Sequence, residues 1–178
     1  MRKLKSGEMN RLSVDGFRAS RKMPVVVVLD NVRSHYNVGS VFRTADAFRI
    51  EAIHLCGITA TPPHREIHKT ALGATESVSW KYFPGTEDSI RELKKEGYRI
   101  YALEQTDRSI PLDRLSLAGH PKIALIFGNE IHGIGGKILE MAERSIEIPQ
   151  FGTKHSLNIS VAAGIVLWEL HSKGRFLL

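Results

Sequence analysis

Residues 24–29 read Pro-Val-Val-Val-Val-Leu, a continuous apolar run followed by Asp30. A run without polar alternation is what a strand covered on both faces requires. Val38, Val41, Phe42, Ala45 and Phe48 then recur at spacings of three and four, which predicts a helix with one apolar stripe. Shorter β-rich runs at 52–55, 78–83, 98–103, 122–127 and 144–148 predict further strands. Between them, 86–96 predicts an amphipathic helix closed by Gly97, and 135–143 a shorter one. The stretch 157–172 is apolar on nearly every face and predicts a buried helix. Strands alternating with helices imply an α/β fold, a mostly parallel sheet with helices on both faces.

Composition narrows the class. The chain has 178 residues, about one domain, and its 42% hydrophobic and 25% charged residues match a soluble globular protein. The longest apolar stretch, 161–168, is too short to span a bilayer. The basic N-terminus is followed by no apolar segment, so no secretory signal is expected. One cysteine, Cys56, excludes an intramolecular disulfide and a cysteine-based zinc site. A cytoplasmic protein without a membrane partner is the expectation.

The net charge of +6 is unevenly placed. Residues 1–22 carry Arg2, Lys3, Lys5, Arg11, Arg18, Arg21 and Lys22 against Glu8 and Asp15, a balance of +5. This divides the chain into a basic N-terminal arm, 1–22, and a single domain, 23–178. The arm's seven cations are expected to neutralise nucleic-acid phosphates. The alternative is that Leu12, Val14 and Phe17 form an ordered segment packed on the body or on a partner copy.

Several familiar site patterns are missing. Gly128 and Gly133 have phosphate-loop spacing, but Ile134 stands where lysine is required. No G-x-G-x-x-G follows the first strand, and no G-x-S-x-G elbow occurs. His64 and His68 lie four apart without the glutamate that a zinc-protease helix needs, and no metal is expected.

Three segments carry chemistry. The first, 29–44, runs from a strand end into a helix, where open α/β sheets bind ligands; Asn37 reads as its N-cap and Arg43 sits one turn in. The second, 124–136, takes a buried strand into a glycine-dense turn that holds Glu130. The third, 148–160, enters the last helix through Ser156, Asn158 and Ser160; Ser156 or Asn158 caps it, and the remaining polar groups are unexplained by packing.

Together these segments resemble the three signature motifs of the SpoU/TrmH family of RNA ribose 2′-O-methyltransferases. N-x-G-x-x-x-R-T is matched at Asn37, Gly39, Arg43 and Thr44, and F-G-x-E-x-x-G at Phe127, Gly128, Glu130 and Gly133. Ile148-Pro149 followed by Ser156-Leu157-Asn158-Ile159-Ser160 matches the third. Gln150 departs from the usual methionine, and the larger members' N-terminal substrate domain is missing. The resemblance implies a domain with a C-terminal deep trefoil knot, binding S-adenosylmethionine and working as a homodimer with sites at the subunit interface. It places Leu103, Gly128, Ile148, Ser156 and Leu157 against the cofactor. Arg43, with Asn37, Glu130, Ser156 and Asn158 around it, is placed at the reacting ribose. Arg43 would hold the RNA phosphate and the 2′-oxygen, because a guanidinium titrating above about 12 is a poor base. A tRNA substrate is favoured; an rRNA substrate, a catalytically inactive RNA-binding homologue and a small-molecule transferase are the alternatives.

Overall fold

The computed structural model describes residues 1–116 and 122–174; the last four residues of the expected domain lie outside the described ones. β1 (Met23–Asp30), β2 (Ile50–Cys56), β3 (Ser79–Phe83), β4 (Arg99–Leu103), β5 (Ile110–Pro111), β6 (Ile123–Phe127) and β7 (Arg144–Glu147) form one sheet. Its order is β3-β2-β1-β6-β4-β7-β5 and every pairing is parallel. All carboxyl ends therefore meet along one edge. β1 and β6 run side by side at the centre with Val25–Leu29 paired to Ile123–Phe127, which is why both are uninterrupted apolar runs.

Helices cover both faces. On one, Val25, Val27 and Leu29 pack with buried residues of α2 (His35–Ala47), α3 (Arg65–Ala71), α4 (Ala74–Ser77) and α7 (Ile159–Gly174). On the other, Val26 and Val28 pack beneath α5 (Thr86–Lys95) and α6 (Gly136–Met141). No described helix is long and apolar enough to cross a membrane.

Three expectations change here. The last helix is not buried on every face. Ala163, Val166, Leu167 and Leu170 are inaccessible, but Val161, Ile165 and Trp168 are 51%, 38% and 61% exposed. Their i, i+4, i+7 spacing makes them one stripe along α7. The arm is also not wholly separate from the body. α1 (Val14–Ala19) inserts Phe17 into the core at 4% exposure, so the packed alternative holds for Phe17, while Leu12 and Val14 stay exposed. The boundary after residue 22 therefore falls within the packed body. Finally, α2 is capped by Ser34, whose Oγ accepts the Asn37 N–H at 3.3 Å, and Asn37 lies inside the helix.

Candidate active site

At the carboxyl ends of β4, β6 and β7, the loops 128–134 and 148–157 enclose a cavity of about 400 Å³. Strand ends at a change of chain direction are where parallel sheets leave room for ligands, and this volume suits a nucleoside-sized molecule. Leu103, Gly128, Ile148, Ser156 and Leu157, the five residues expected against a cofactor, all line it. Gly128 is required by close approach: a Cβ there would lie 2.4 Å from the Gly133 carbonyl carbon and 2.6 Å from the Ile134 nitrogen.

Beside the cavity a chain of side-chain hydrogen bonds links the three motifs. Asn158 caps α7, its Oδ1 accepting from Ser160 N and Oγ at 2.9 and 2.7 Å. That direction leaves Asn158 Nδ2 to donate to Asn37 Oδ1 at 3.0 Å. Asn37 Nδ2 in turn donates to Glu130 Oε1, also at 3.0 Å. Each amide donates onward, and the chain ends on a carboxylate. The polar groups at 158 and 160, unexplained by packing, serve this chain.

Glu130 also accepts the backbone N–H groups of Arg33 at 2.9 Å and Ser34 at 3.0 Å. Burial works against its charge, but the donors from Arg33, Ser34, its own backbone and Asn37 outweigh burial and hold the carboxyl below its ordinary value. With its oxygens saturated by donors, Glu130 anchors the entry to α2 rather than abstracting a proton. Asn129 shapes the turn that presents it, accepting from Ile131 N and His132 N and donating to Asn31 O at 2.8 Å.

Arg43 does not join this group. It is exposed, has no hydrogen-bond or ion-pair partner among the described residues, and lines a separate groove of about 650 Å³. Arg11 and Arg49 line the same groove, with Asp46 and Glu76 opposite in sign. Six residues separate Arg43 from Asn37, a rise of roughly 9 Å along the helix.

The other arm cations divide into two sets. Arg2 pairs with Glu8 at 2.7 Å, Arg18 donates to Glu76 O, and Lys22 donates to Phe17 O and Ser20 O. The side-chain charges of Lys3, Lys5, Arg11 and Arg21 have no partner among the described residues. Of the two histidines weighed as metal ligands, His64 accepts the Glu66 N–H and stacks on His35 at 4.0 Å. The ligand atoms of His35, His64 and Glu66 lie within 4.8 Å of one another. The stack supports the start of α3. Sequence reasoning missed Glu104, Gln105 and the Ser34 cap. Only the cap had a signal, a serine three residues before the asparagine.

Comparison with known proteins identifies the family. The SpoU rRNA Methylase family pattern matches residues 24–168. A tRNA (guanosine(18)-2′-O)-methyltransferase of Thermus thermophilus is 28% identical over 162 residues, covering 91% of this chain and 81% of that enzyme. Among solved structures, the Aquifex aeolicus TrmH/SpoU tRNA modifying enzyme superposes with a TM-score of 0.79 at 25% identity, covering 91% of this chain and 82% of that one. The AdoMet-bound rRNA methyltransferase of Sinorhizobium meliloti has a TM-score of 0.79 at 30% identity, covering 91% of this chain and 60% of that longer one. By its three linked motifs, its parallel sheet and the match across most of its length, the chain belongs to the SpoU rRNA Methylase family.

Proposed function

We propose that this protein methylates a ribose 2′-hydroxyl of structured RNA, using S-adenosylmethionine held in the cavity at the ends of β4, β6 and β7. The observation that carries the reading is the Asn158–Asn37–Glu130 chain, which fixes three motif segments around one nucleoside-sized cavity. The lining fits the cofactor: Leu103, Ile148 and Leu157 offer apolar surface, and no lysine or arginine among the described residues lines it to repel a sulfonium. When bound, the cofactor supplies a methyl group activated for transfer to an oxygen nucleophile. Leu103, Gly128, Ile148, Ser156 and Leu157 would hold the cofactor, and transfer would exchange its methyl–sulfur bond for a methyl–oxygen bond as the hydroxyl proton is lost. The protein's share is alignment and exclusion of water. Ser156 and Leu157 form one wall, and Arg43 holds the phosphate beside the target ribose and the 2′-oxygen. Transfer of label from the cofactor to RNA tests the reading.

In the same proposal the C-terminal segment passes through a loop as a deep trefoil knot. Support comes from the crossed strand order, in which β6 pairs between β1 and β4 and β7 between β4 and β5. A tRNA is the favoured substrate, and a cytoplasmic location follows from it. Support comes from the tRNA (guanosine(18)-2′-O)-methyltransferases among the relatives.

The active unit is a homodimer. Arg43 stands apart from its own chain's cavity, and the Val161–Ile165–Trp168 stripe is apolar and exposed. Pairing through this stripe would let Arg43 of one copy serve the cavity of the other. Sedimentation at micromolar concentration is expected to give twice the 19.9 kDa chain mass. Ile165→Arg is expected to yield a folded monomer without methyl transfer. An active monomer contradicts the shared site.

RNA enters along the groove that carries Arg11 and Arg43. Deleting residues 2–11 removes the unpaired Lys3, Lys5 and Arg11 but spares Phe17. The slope of log binding against log salt is expected to fall by roughly 2 to 3, with the melting temperature unchanged. Deleting residues 2–22 is expected to destabilise the fold as well, because it empties the Phe17 site. An unchanged slope in the shorter deletion assigns RNA binding elsewhere.

A further inference from the structure

Glu104, Glu130 and Glu147 line the cavity together with His132 and His155, and among the described residues no lysine or arginine does. Glu130 is saturated by donors from the first motif, as described above. Glu104 is placed differently. It is the first residue after β4, and its carboxylate spans two backbone donors. Oε2 accepts the Ile134 N–H at 3.0 Å and Oε1 accepts the Gln105 N–H at 3.1 Å.

The seat of this carboxylate is built by the second motif. Gly133 has φ +62°, and a Cβ on it would lie 2.3 Å from Glu104 Oε2. Any side chain at 133 would both strain the turn and expel the carboxylate. The adjacent residue ties down the opposite lip, since Gln105 Nε2 donates to His155 O at 3.0 Å. Glu104 forms no ion pair among the described residues. Its charge is held in place by backbone N–H groups and is not cancelled by a cation.

We infer that Glu104 is a specificity-determining residue that favours the positively charged methyl donor over its neutral demethylated product. This rests on the reading of the cavity as the S-adenosylmethionine site. Both molecules carry the same adenosine and amino-acid groups. Those contributions cancel when their affinities are compared, and the sulfonium charge with its methyl remains. A fixed carboxylate in the cavity wall attracts that charge before transfer and loses the attraction when the sulfur becomes neutral. Glu104 thereby promotes release of the spent product.

The test is calorimetric titration of the wild type and Glu104→Gln with S-adenosylmethionine and, separately, S-adenosylhomocysteine. Glutamine keeps an oxygen for the Ile134 N–H and removes the charge. Donor affinity is expected to fall about five- to tenfold while product affinity stays within about twofold. Equal losses for both ligands, or none, overturn the inference and leave Glu104 a support for the 128–134 turn. A mutation-independent check is the wild-type ratio of the two affinities itself: donor binding at least about fivefold tighter than product binding is expected, and equal affinities contradict charge reading. If the wild type binds neither ligand, the cavity assignment itself fails, an outcome distinct from binding both without discrimination.

Discussion

Arg43→Ala is expected to abolish methyl transfer, leaving less than about a tenth of the rate, a loss above ~1.4 kcal/mol of transition-state stabilisation. Cofactor affinity should change little, because Arg43 lines a different groove from the cavity that holds the motif turns. The guanidinium has no partner within the chain, so its removal leaves no buried group unpaired and stability should hold within about 0.5 kcal/mol. Lysine at 43 keeps the charge but loses the planar fork that could span a phosphate and the 2′-oxygen together, and should restore only part of the rate. Single-turnover kinetics and calorimetry on the same preparations separate the two quantities. Retention of more than a tenth of the rate, or a parallel loss of cofactor binding, removes Arg43 from the proposed role.

Asn37→Ala should have the opposite profile. Asn37 is 8% exposed and sits between Asn158 and Glu130, so alanine severs both bonds of the chain. One bond is neutral and the other ends on a carboxylate, which suggests a stability cost of roughly 2–4 kcal/mol. The cost should be accompanied by weaker cofactor binding, because Asn158 directly follows Leu157 in the cavity wall. Urea midpoints and cofactor titrations both report it. Asn158→Ala removes one of the same bonds, so the double variant should lose less than the sum of the two singles. Additive losses would show that the chain does not act as a unit.

The sheet was readable because its strands are chemically extreme. Val25 through Leu29 cannot be solvated on either face, and the parallel arrangement follows from that. What escaped reading was short or polar. α3 spans only Arg65–Ala71 and buries Ile67 and Ala71, too few positions for a period to register. α4 has four residues and β5 two. The exposure of the α7 stripe could not be read either, because an apolar surface kept for another contact has the same composition as one kept for the core.

Within the site, the motifs located the cavity-lining residues, but spacing could not give their partners. Asn37 passed for a cap because the bonds it makes go to residues 93 and 121 positions away. The actual cap, Ser34, is three residues upstream and ordinary in appearance. Phe17 lies among charges in the sequence, yet one aromatic side chain suffices to dock a six-residue helix. Glu104 belongs to no recognised spacing. Its position becomes meaningful only when the turn holding Gly133 folds back over it.

The central claim is a reaction, and one measurement addresses it. The protein is incubated with methyl-labelled S-adenosylmethionine and separate pools of transfer RNA and ribosomal RNA, and the RNA is then digested and its modified nucleotides identified by mass spectrometry. The account predicts label on a ribose 2′-oxygen, in the transfer-RNA pool, at a discrete position. Label on a base, or none in either RNA while the cofactor binds, would contradict it.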